Sequence, residues 1–426
     1  MEAITALIAE YEARTPGSRA LRGRLEKALP SGETRSVTFY RPYPLVVERG
    51  EGPVLRDVDG HEYLDVLNNY TALVHGHAHP EILAAARAAM SAGTVFPAPS
   101  RPQLELAELL VARYPAIELA RFTNSGTEAS VLALRIARRA TGRRGLLMFE
   151  DGYHGTAPEF VDGGPDTRRV PFNDAAALRE ALDESVASVF VEPFLGSGGV
   201  IPAADGFLSE VQAAARSVGA LFVLDEVQSL RSHISGVHGA LGLQPDLVTM
   251  GKIVGGGFPV GAVGGRRALM ELTAAGRPGA LAHAGTFNGN PVTTAAGLTS
   301  LRLLDANAIE RLNAGAVALE ARIVAAANGA GIAAWVSRYG SILHVHLDGG
   351  LPGAQASAAL HLALLLQGVY AAPRGMLNLS TVLTDAQLRQ VAEGYAAAFT
   401  RLVALGVGTG IARSIEAWPA RAGGVA

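Results

Sequence analysis

Apolar residues change their spacing along this chain, and each change predicts a different architecture. Residues 1–30 interleave charged and apolar positions at helical spacing, which predicts one or two amphipathic helices ending at the turn residues LPSGET. The stretch SVTFYRPYPLVVERGEGPVLRDVDGHEYLDVLNN then predicts short strands joined by tight turns, with Asp59-Gly60 as a hairpin signal. From about residue 65, compact apolar runs alternate with helical ones. GLLMFEDGYHG, VASVFVEPFLG, GALFVLDEVQS and PDLVTMGKIVGG each open as a strand, RFTN is a shorter one, and GAVGGR is a further candidate. Between them HPEILAAARAAMSAG, QLELAELLVARY and FLSEVQAAARSVG read as helices. Such alternation predicts an α/β domain with a mostly parallel sheet covered on both faces. After about residue 305 an alanine-rich helix, the strands GSILHVHL and VYAAP, and a last helix from TDAQLRQVAEGYAAAFTRLVALG predict a smaller α+β domain. The expected division is therefore an N-terminal segment 1–64 contributing to the small domain, a large domain 65–305 and a C-terminal small domain 306–426.

Composition narrows the function classes. A chain of 426 residues with 49% hydrophobic and 18% charged residues is ordinary for a globular protein of more than one domain. The net charge of −3 gives no reason to expect nucleic acid or an anionic membrane as partner. Cysteine is absent, which excludes disulfides, thiolate metal sites and cysteine nucleophiles. No metal is expected. The N-terminus is charged throughout and no window has the character of a membrane span, so a cytoplasmic protein is expected.

Of the 36 basic residues only Lys27 and Lys252 are lysines. Arginine cannot lose its proton to become a nucleophilic amine, so a lysine kept in such a chain raises a chemical question. Lys27 lies in a charged amphipathic stretch. Lys252 follows a strand and is itself followed by glycines, the reverse of a phosphate-binding P-loop, in which glycines come first. Glycines placed after the lysine allow close backbone approach there and leave the side chain to point into a cleft.

Other positions carry chemistry with alternatives open. In FTNSGTEA a strand ends and a helix is expected to begin at Glu128, so Ser125 and Thr127 flank an anion-binding helix start or a plain N-cap. Asp225 and Glu226 sit at the carboxyl end of an apolar strand, where α/β sheets place ligands. They could hold a metal, exchange protons, face solvent, or pin a protonated pyridine nitrogen. Tyr153 and His154 follow another strand end, and the aromatic could stack on a flat cofactor or belong to the core. Thr286, in HAGTFNGNP, could contact phosphate or shape its turn.

The ordered series S-G-T-E-A, Y-H-G, E-P, D-E-V, G-K-x-x-G-G-G and G-T-F-x-G-N-P closely resembles the class III aminotransferases of pyridoxal-phosphate fold type I, over about residues 35–400. The resemblance implies a seven-stranded, mostly parallel sheet in the large domain and pyridoxal 5'-phosphate as cofactor. By the same resemblance Lys252 holds the cofactor as a Schiff base and shuttles the proton, and Asp225 pairs with the pyridine nitrogen. Ser125, Gly126 and Thr127 would cradle the phosphate, and Tyr153 and Val227 would cover opposite ring faces, with His154 and Glu192 bordering the cofactor. Thr286 would reach the phosphate from a neighbouring subunit, which implies a homodimer.

Within the class, the chain is similar to the branch of glutamate-1-semialdehyde aminomutases and β-amino-acid transaminases. Arg374 in PRG and Arg35 in TRSV resemble the transaminases, whereas aminomutases usually carry serine at the first position. A guanidinium fork suits carboxylate recognition independently of that likeness. The implied reaction moves an amino group from an amino acid, leaning to a β-amino acid, to a 2-oxo acid such as 2-oxoglutarate or pyruvate. An aminomutase and a racemase are the alternatives. Two departures bear on the substrate pocket: Gln228 after D-E-V, where many relatives are apolar, and His75, where β-amino-acid transaminases can carry an aromatic.

Overall fold

The computed structural model describes residues 2–348 and 353–408. The chain forms two compact units, one built from residues up to Tyr70 together with those from Leu312, the other from Thr71–Arg311. The boundaries expected after residues 64 and 305 fall a few residues before these divisions. The first division falls inside the turn at residues 68–71, between Tyr70 and Thr71, and the second cuts the long helix Ala306–Ala330. The end of the expected small domain, 409–426, lies outside the described residues.

The larger unit is organised on a seven-stranded sheet. In chain order its strands are β1 (Leu119–Thr123), β2 (Gly145–Phe149), β3 (Thr167–Val170), β4 (Val186–Val191), β5 (Leu221–Asp225), β6 (Leu247–Gly251) and β7 (Gly261–Gly265). They lie side by side as β1-β7-β6-β5-β4-β2-β3. Only β7 runs against its neighbours, pairing antiparallel with both β6 and β1. The carboxyl ends of the other six therefore share one edge of the sheet.

Strands buried on both faces send alternate side chains into two layers. Leu146, Met148, Phe190 and Val223 join a core under the helix Gly126–Thr141, with its Leu132, Ala133 and Ile136. Their neighbours Leu147, Phe149, Val189, Val191, Phe222 and Leu224 pack on the opposite face against Leu178, Phe207, Leu208 and Val211 from the helices Ala175–Ala181 and Phe207–Ser217. Sequence reading did not single out β3, whose TRRV text is half charged, as suits an edge strand. The candidate GAVGGR is a strand, β7.

The smaller unit holds a four-stranded sheet, Val47–Glu51, Val54–Asp57, Glu62–Asp65 and Val369–Tyr370, and a three-stranded antiparallel one. The latter joins Ala334–Tyr339, Ile342–Leu347 and Met376–Asn378. Its first strand was not expected. It begins within four residues of the preceding helix, and glycine and alanine at that junction hide the change of period.

Helix Pro291–Leu303 presses on the backbone just after Lys252. A methyl group on Gly297 would come 1.9 Å from the Val254 carbonyl oxygen, and one on Gly256 would meet the Ala296 carbonyl at 2.5 Å. Gly297→Ala should therefore lower unfolding stability by about 1–3 kcal/mol, the usual cost of overpacking, read as a lower urea midpoint. A midpoint equal to that of the parent protein would mean that the helix slides freely over this turn.

Candidate active site

The shared edge of the sheet collects the chemistry, because one loop after another leaves it. β1 ends at Thr123, and Ser125 then caps the helix Gly126–Thr141, its Oγ accepting the Glu128 N–H at 3.1 Å. The helix thus begins two residues earlier than expected. Once Ser125 satisfies the amide of Glu128, Gly126 and Thr127 already belong to the first turn. Thr127 Oγ1 accepts the Thr156 N–H at 3.2 Å, tying this turn to the loop after β2. Ser125, Gly126 and Thr127 are all half-buried at the start of a 16-residue helix, an arrangement suited to an anion. Close by, Gly261 opens β7 with no room for a side chain, since a Cβ there would meet the Ser125 carbonyl oxygen at 2.0 Å.

Asp225 ends β5, 4% exposed. Its Oδ1 accepts the Val227 N–H at 3.0 Å, and its Oδ2 accepts from His154 Nδ1 at 2.7 Å. Burial works against a charge on His154, yet the hydrogen bond and negative field of Asp225, with Glu192 added, raise its pKa above the ordinary histidine value. Phe160 and Phe190 enclose the ring edge-on, so this pair is sealed in the core.

Glu192 follows β4 and is likewise buried. It accepts the N–H of Tyr153 at 2.9 Å and of Gly196 at 3.2 Å. Burial, reinforced by Asp225, pushes its pKa up to about 7 against the opposing pull of His154. Tyr153, 42% exposed, stands in the field of Asp225.

Lys252 follows β6 with φ at +49°, a left-handed conformation that lysine seldom adopts. Burial lowers its amine pKa below the ordinary lysine value, while Asp225 and Glu192 oppose the shift. The three groups thus share one electrostatic environment. Glu226, beside Asp225, is wholly committed to structure: its carboxylate accepts from the N–H groups of Val237 and His238 and from His238 Nδ1. Gln228 packs against Gly196, and its Oε1 is buried with no hydrogen-bond partner among the described residues.

The remaining expected residues lie elsewhere. His75 is buried, donates from Nε2 to the Ser300 carbonyl at 2.9 Å, and has its pKa pushed down to about 4 by burial. It lines a cavity of about 180 Å³ with His79 and Phe258, whose walls do not include Lys252 or Asp225. Thr286 is exposed on the loop before helix Pro291–Leu303, next to Phe287 at 58% exposure.

Arg35 and Arg374 belong to the smaller unit and are exposed there. Arg374 sits on a tight turn in which the Gly375 N–H donates to the Ala372 carbonyl. Arg35 Nη1 donates to Asn69 Oδ1 at 2.9 Å. The Tyr70 phenol lies in the field of both guanidiniums, although burial outweighs them and raises its pKa. Neither arginine has a carboxylate partner among the described residues. Asn69 and Tyr70 were not singled out in the sequence, where Asn69 closes the stretch expected to hold short strands joined by tight turns. The Asn-Asn pair, tolerant of left-handed backbone, was the available signal.

A family model described as aminotransferase class-III matches residues 37–167 and 165–398. The chain belongs to the class III aminotransferases. It is 40% identical over 380 residues to a beta-phenylalanine transaminase of Variovorax paradoxus, covering 84% of this chain and 87% of that one. It is 35% identical over 414 residues to glutamate-1-semialdehyde 2,1-aminomutase 1 of Cenarchaeum symbiosum, covering 89% and 98%. A solved transaminase with pyridoxal phosphate bound superposes with a TM-score of 0.89 at 33% identity, covering 92% of this chain and 99% of that chain. The protein is a transaminase of fold type I that depends on pyridoxal 5'-phosphate.

The residues present in the transaminase fit that cofactor. A helix N-terminus suits an anion, the buried carboxylate of Asp225 is held by two hydrogen bonds, and the Lys252 amine, its pKa lowered by burial, stands in the field of Asp225 and Glu192. Glycines clear the Val227 side: a Cβ on Gly126 or Gly251 would crowd the Val227 methyls at 3.3–3.4 Å. Among the described residues no cluster of histidine and carboxylate groups could hold a metal ion, and no helix is long and apolar enough to cross a membrane.

The raised pKa of Glu192 sets a direction with pH. Folding lifts it from the ordinary glutamate value to about 7, so its contribution to stability is complete below about pH 4.5 and disappears as pH rises through 7. Glu192→Gln removes this slope. In the cofactor-free transaminase the variant should gain stability relative to the parent between pH 4.5 and 8, by at most about 1.4 kcal/mol per pH unit. Urea unfolding at several pH values measures the difference, and a constant offset would refute a buried, proton-holding Glu192.

Proposed function

We propose that the transaminase takes its amino group from a β-amino acid and delivers it to a 2-oxo acid such as 2-oxoglutarate or pyruvate. The observation that carries this reading is the pair Arg35 and Arg374. Both act on one phenol, Tyr70, and neither has a carboxylate partner among the described residues. Two exposed guanidiniums in one unit, without counter-ions among the described residues, suit a site that must bind two carboxylate-bearing substrates in turn. The likeness to the Variovorax transaminase supports the β-amino acid, as does arginine at 374, where aminomutases usually carry serine.

Pyridoxal phosphate, when bound, supplies an electron sink for the carbon that loses its proton. The chain does the rest. Lys252 would hold the cofactor and then move the proton with its Nζ, for which burial, by lowering its pKa, keeps a neutral amine within reach. Asp225 would keep the ring nitrogen protonated, held in place by His154 and the Val227 N–H. Ser125, Gly126 and Thr127 would bind the phosphate. Tyr153 and Val227 would flank the ring, with Glu192 at the border and Gln228 and His75 shaping the pocket. The same reading has the enzyme working in the cytoplasm as a homodimer, with Thr286 completing the phosphate site of its neighbour. The exposure of Thr286 and Phe287 supports the latter.

Lys252→Ala should abolish steady-state turnover and the visible absorbance of the cofactor joined to the lysine; surviving turnover would defeat the assignment. Arg374→Ala should raise KM for carboxylate-bearing substrates by roughly 10–100-fold, as expected for losing hydrogen bonds to a charged group, and leave carboxylate-free amines nearly unchanged. Equal loss with both kinds of donor would remove Arg374 from substrate recognition. Turnover of an amino-aldehyde with no 2-oxo acid added would favour the aminomutase reading instead.

A further inference from the structure

Four consecutive residues, none of them glycine, turn the chain in the left-handed sense after the strand Glu62–Asp65. Asn68, Asn69, Tyr70 and Thr71 have φ of +48°, +50°, +56° and +73°. Single asparagines visit this region readily, but a run costs about 1–2 kcal/mol per residue and suits neither a bulky aromatic nor a β-branched threonine. A connection free to choose its path would avoid it. Strain of this kind persists where surrounding structure over-determines the backbone, and it gathers at functional sites.

The base of the turn is fixed by buried hydrogen bonds. Asp65 Oδ1 accepts the N–H groups of Leu67 and Asn68, each at 2.8 Å. Asn68, fully buried, donates from Nδ2 to the Asn378 carbonyl at 2.8 Å, and Asn378 Nδ2 donates back to the Leu67 carbonyl at 2.6 Å. The Asn378 N–H reaches the Val66 carbonyl at 2.6 Å. At the tip the contacts change character. Asn69 is exposed, and its Oδ1 accepts from Arg35 Nη1; the next residue, Tyr70, donates its hydroxyl to the Val37 carbonyl at 2.6 Å. The turn is therefore held from below and directed outward at the segment that carries Arg35.

We propose that this left-handed turn is a positioning device, in which Asn69 aims the Arg35 guanidinium for the substrate carboxylate. This inference rests on the reading of Arg35 as a carboxylate receptor. Asn69 acts through Arg35 and does not itself touch the reacting atoms. An arginine on an extended, exposed stretch has many rotamers to lose on binding, and one fixed acceptor on its Nη1 leaves the other nitrogens directed and free to meet a carboxylate. Asparagine suits the position twice over, since it accepts the hydrogen bond and tolerates the backbone.

Asn69→Gly separates the two roles, because glycine adopts the left-handed conformation without strain but offers no acceptor. In the holoenzyme this variant should raise KM for a β-aryl β-amino acid about tenfold with kcat changed less than about twofold. It should weaken binding of 3-phenylpropanoate, an unreactive carboxylate followed through the visible band of the cofactor, by the same factor. The thermal midpoint should be unchanged or higher, and Asn69→Asp, which keeps the acceptor but gives Arg35 a carboxylate of its own, should also raise KM and Kd. Parent-like KM and Kd in Asn69→Gly would overturn the proposal, and so would a fall in its kcat and thermal midpoint. Arg35→Ala distinguishes the failures. If it leaves KM and Kd unchanged, Arg35 is no receptor and the inference falls with it. If it raises both while Asn69→Gly does not, Arg35 stands and only the role of Asn69 is lost.

Discussion

The hydrogen bond between His154 and Asp225 is the interaction on which the site depends. A carboxylate at the end of a central strand, 4% exposed, is costly unless it is paired, and here an imidazole raised in pKa by that same carboxylate supplies the partner. The aromatic enclosure of His154 keeps water from competing. Glu192, whose charge acts on His154 and Lys252, has its own pKa moved toward neutrality by burial, with the charge of Asp225 adding to the shift against the pull of His154. The same two acids oppose the lowering that burial imposes on the Lys252 amine.

Sheet topology explains why these groups meet at all. Six strands end on one edge, and the loops leaving β1, β2, β4, β5 and β6 each deliver one part of the site. Position at a strand end matters more than separation in sequence, and so residues from Ser125 to Lys252 follow strands that end on one edge. Reversal of β7 adds a further condition. It brings Gly261 against the Ser125 carbonyl, so the turn at Ser125 and the strand that follows the lysine loop fit only because one of them has no side chain.

The strand-end residues were legible in the sequence because each follows a compact apolar run, and the order of the motifs identified the family. The start of the helix at Gly126 was not, since a serine before glycine and threonine reads equally as loop until its hydroxyl is seen on Glu128. His154 was legible as a candidate, but its pairing with Asp225 joins residues 71 positions apart and has no local signature. Asn69 was hidden for a related reason. Its neighbours Asp65 and Asn68 look like turn-formers, and only the hydrogen bonds to Asn378, from the far end of the chain, disclose a strained and anchored element. Edge strand β3 lacked the apolar pattern that marked the others.

Lys252 occupies backbone that glycine would accept more cheaply, with φ at +49°. Selection for a sturdier fold and selection for chemistry therefore pull in opposite directions at this residue. A lineage released from the need to turn over substrate would be free to relax there first, ending as a more durable protein of the same shape with nothing to react. Lysine nevertheless stands at this position, in a chain whose only other lysine is Lys27.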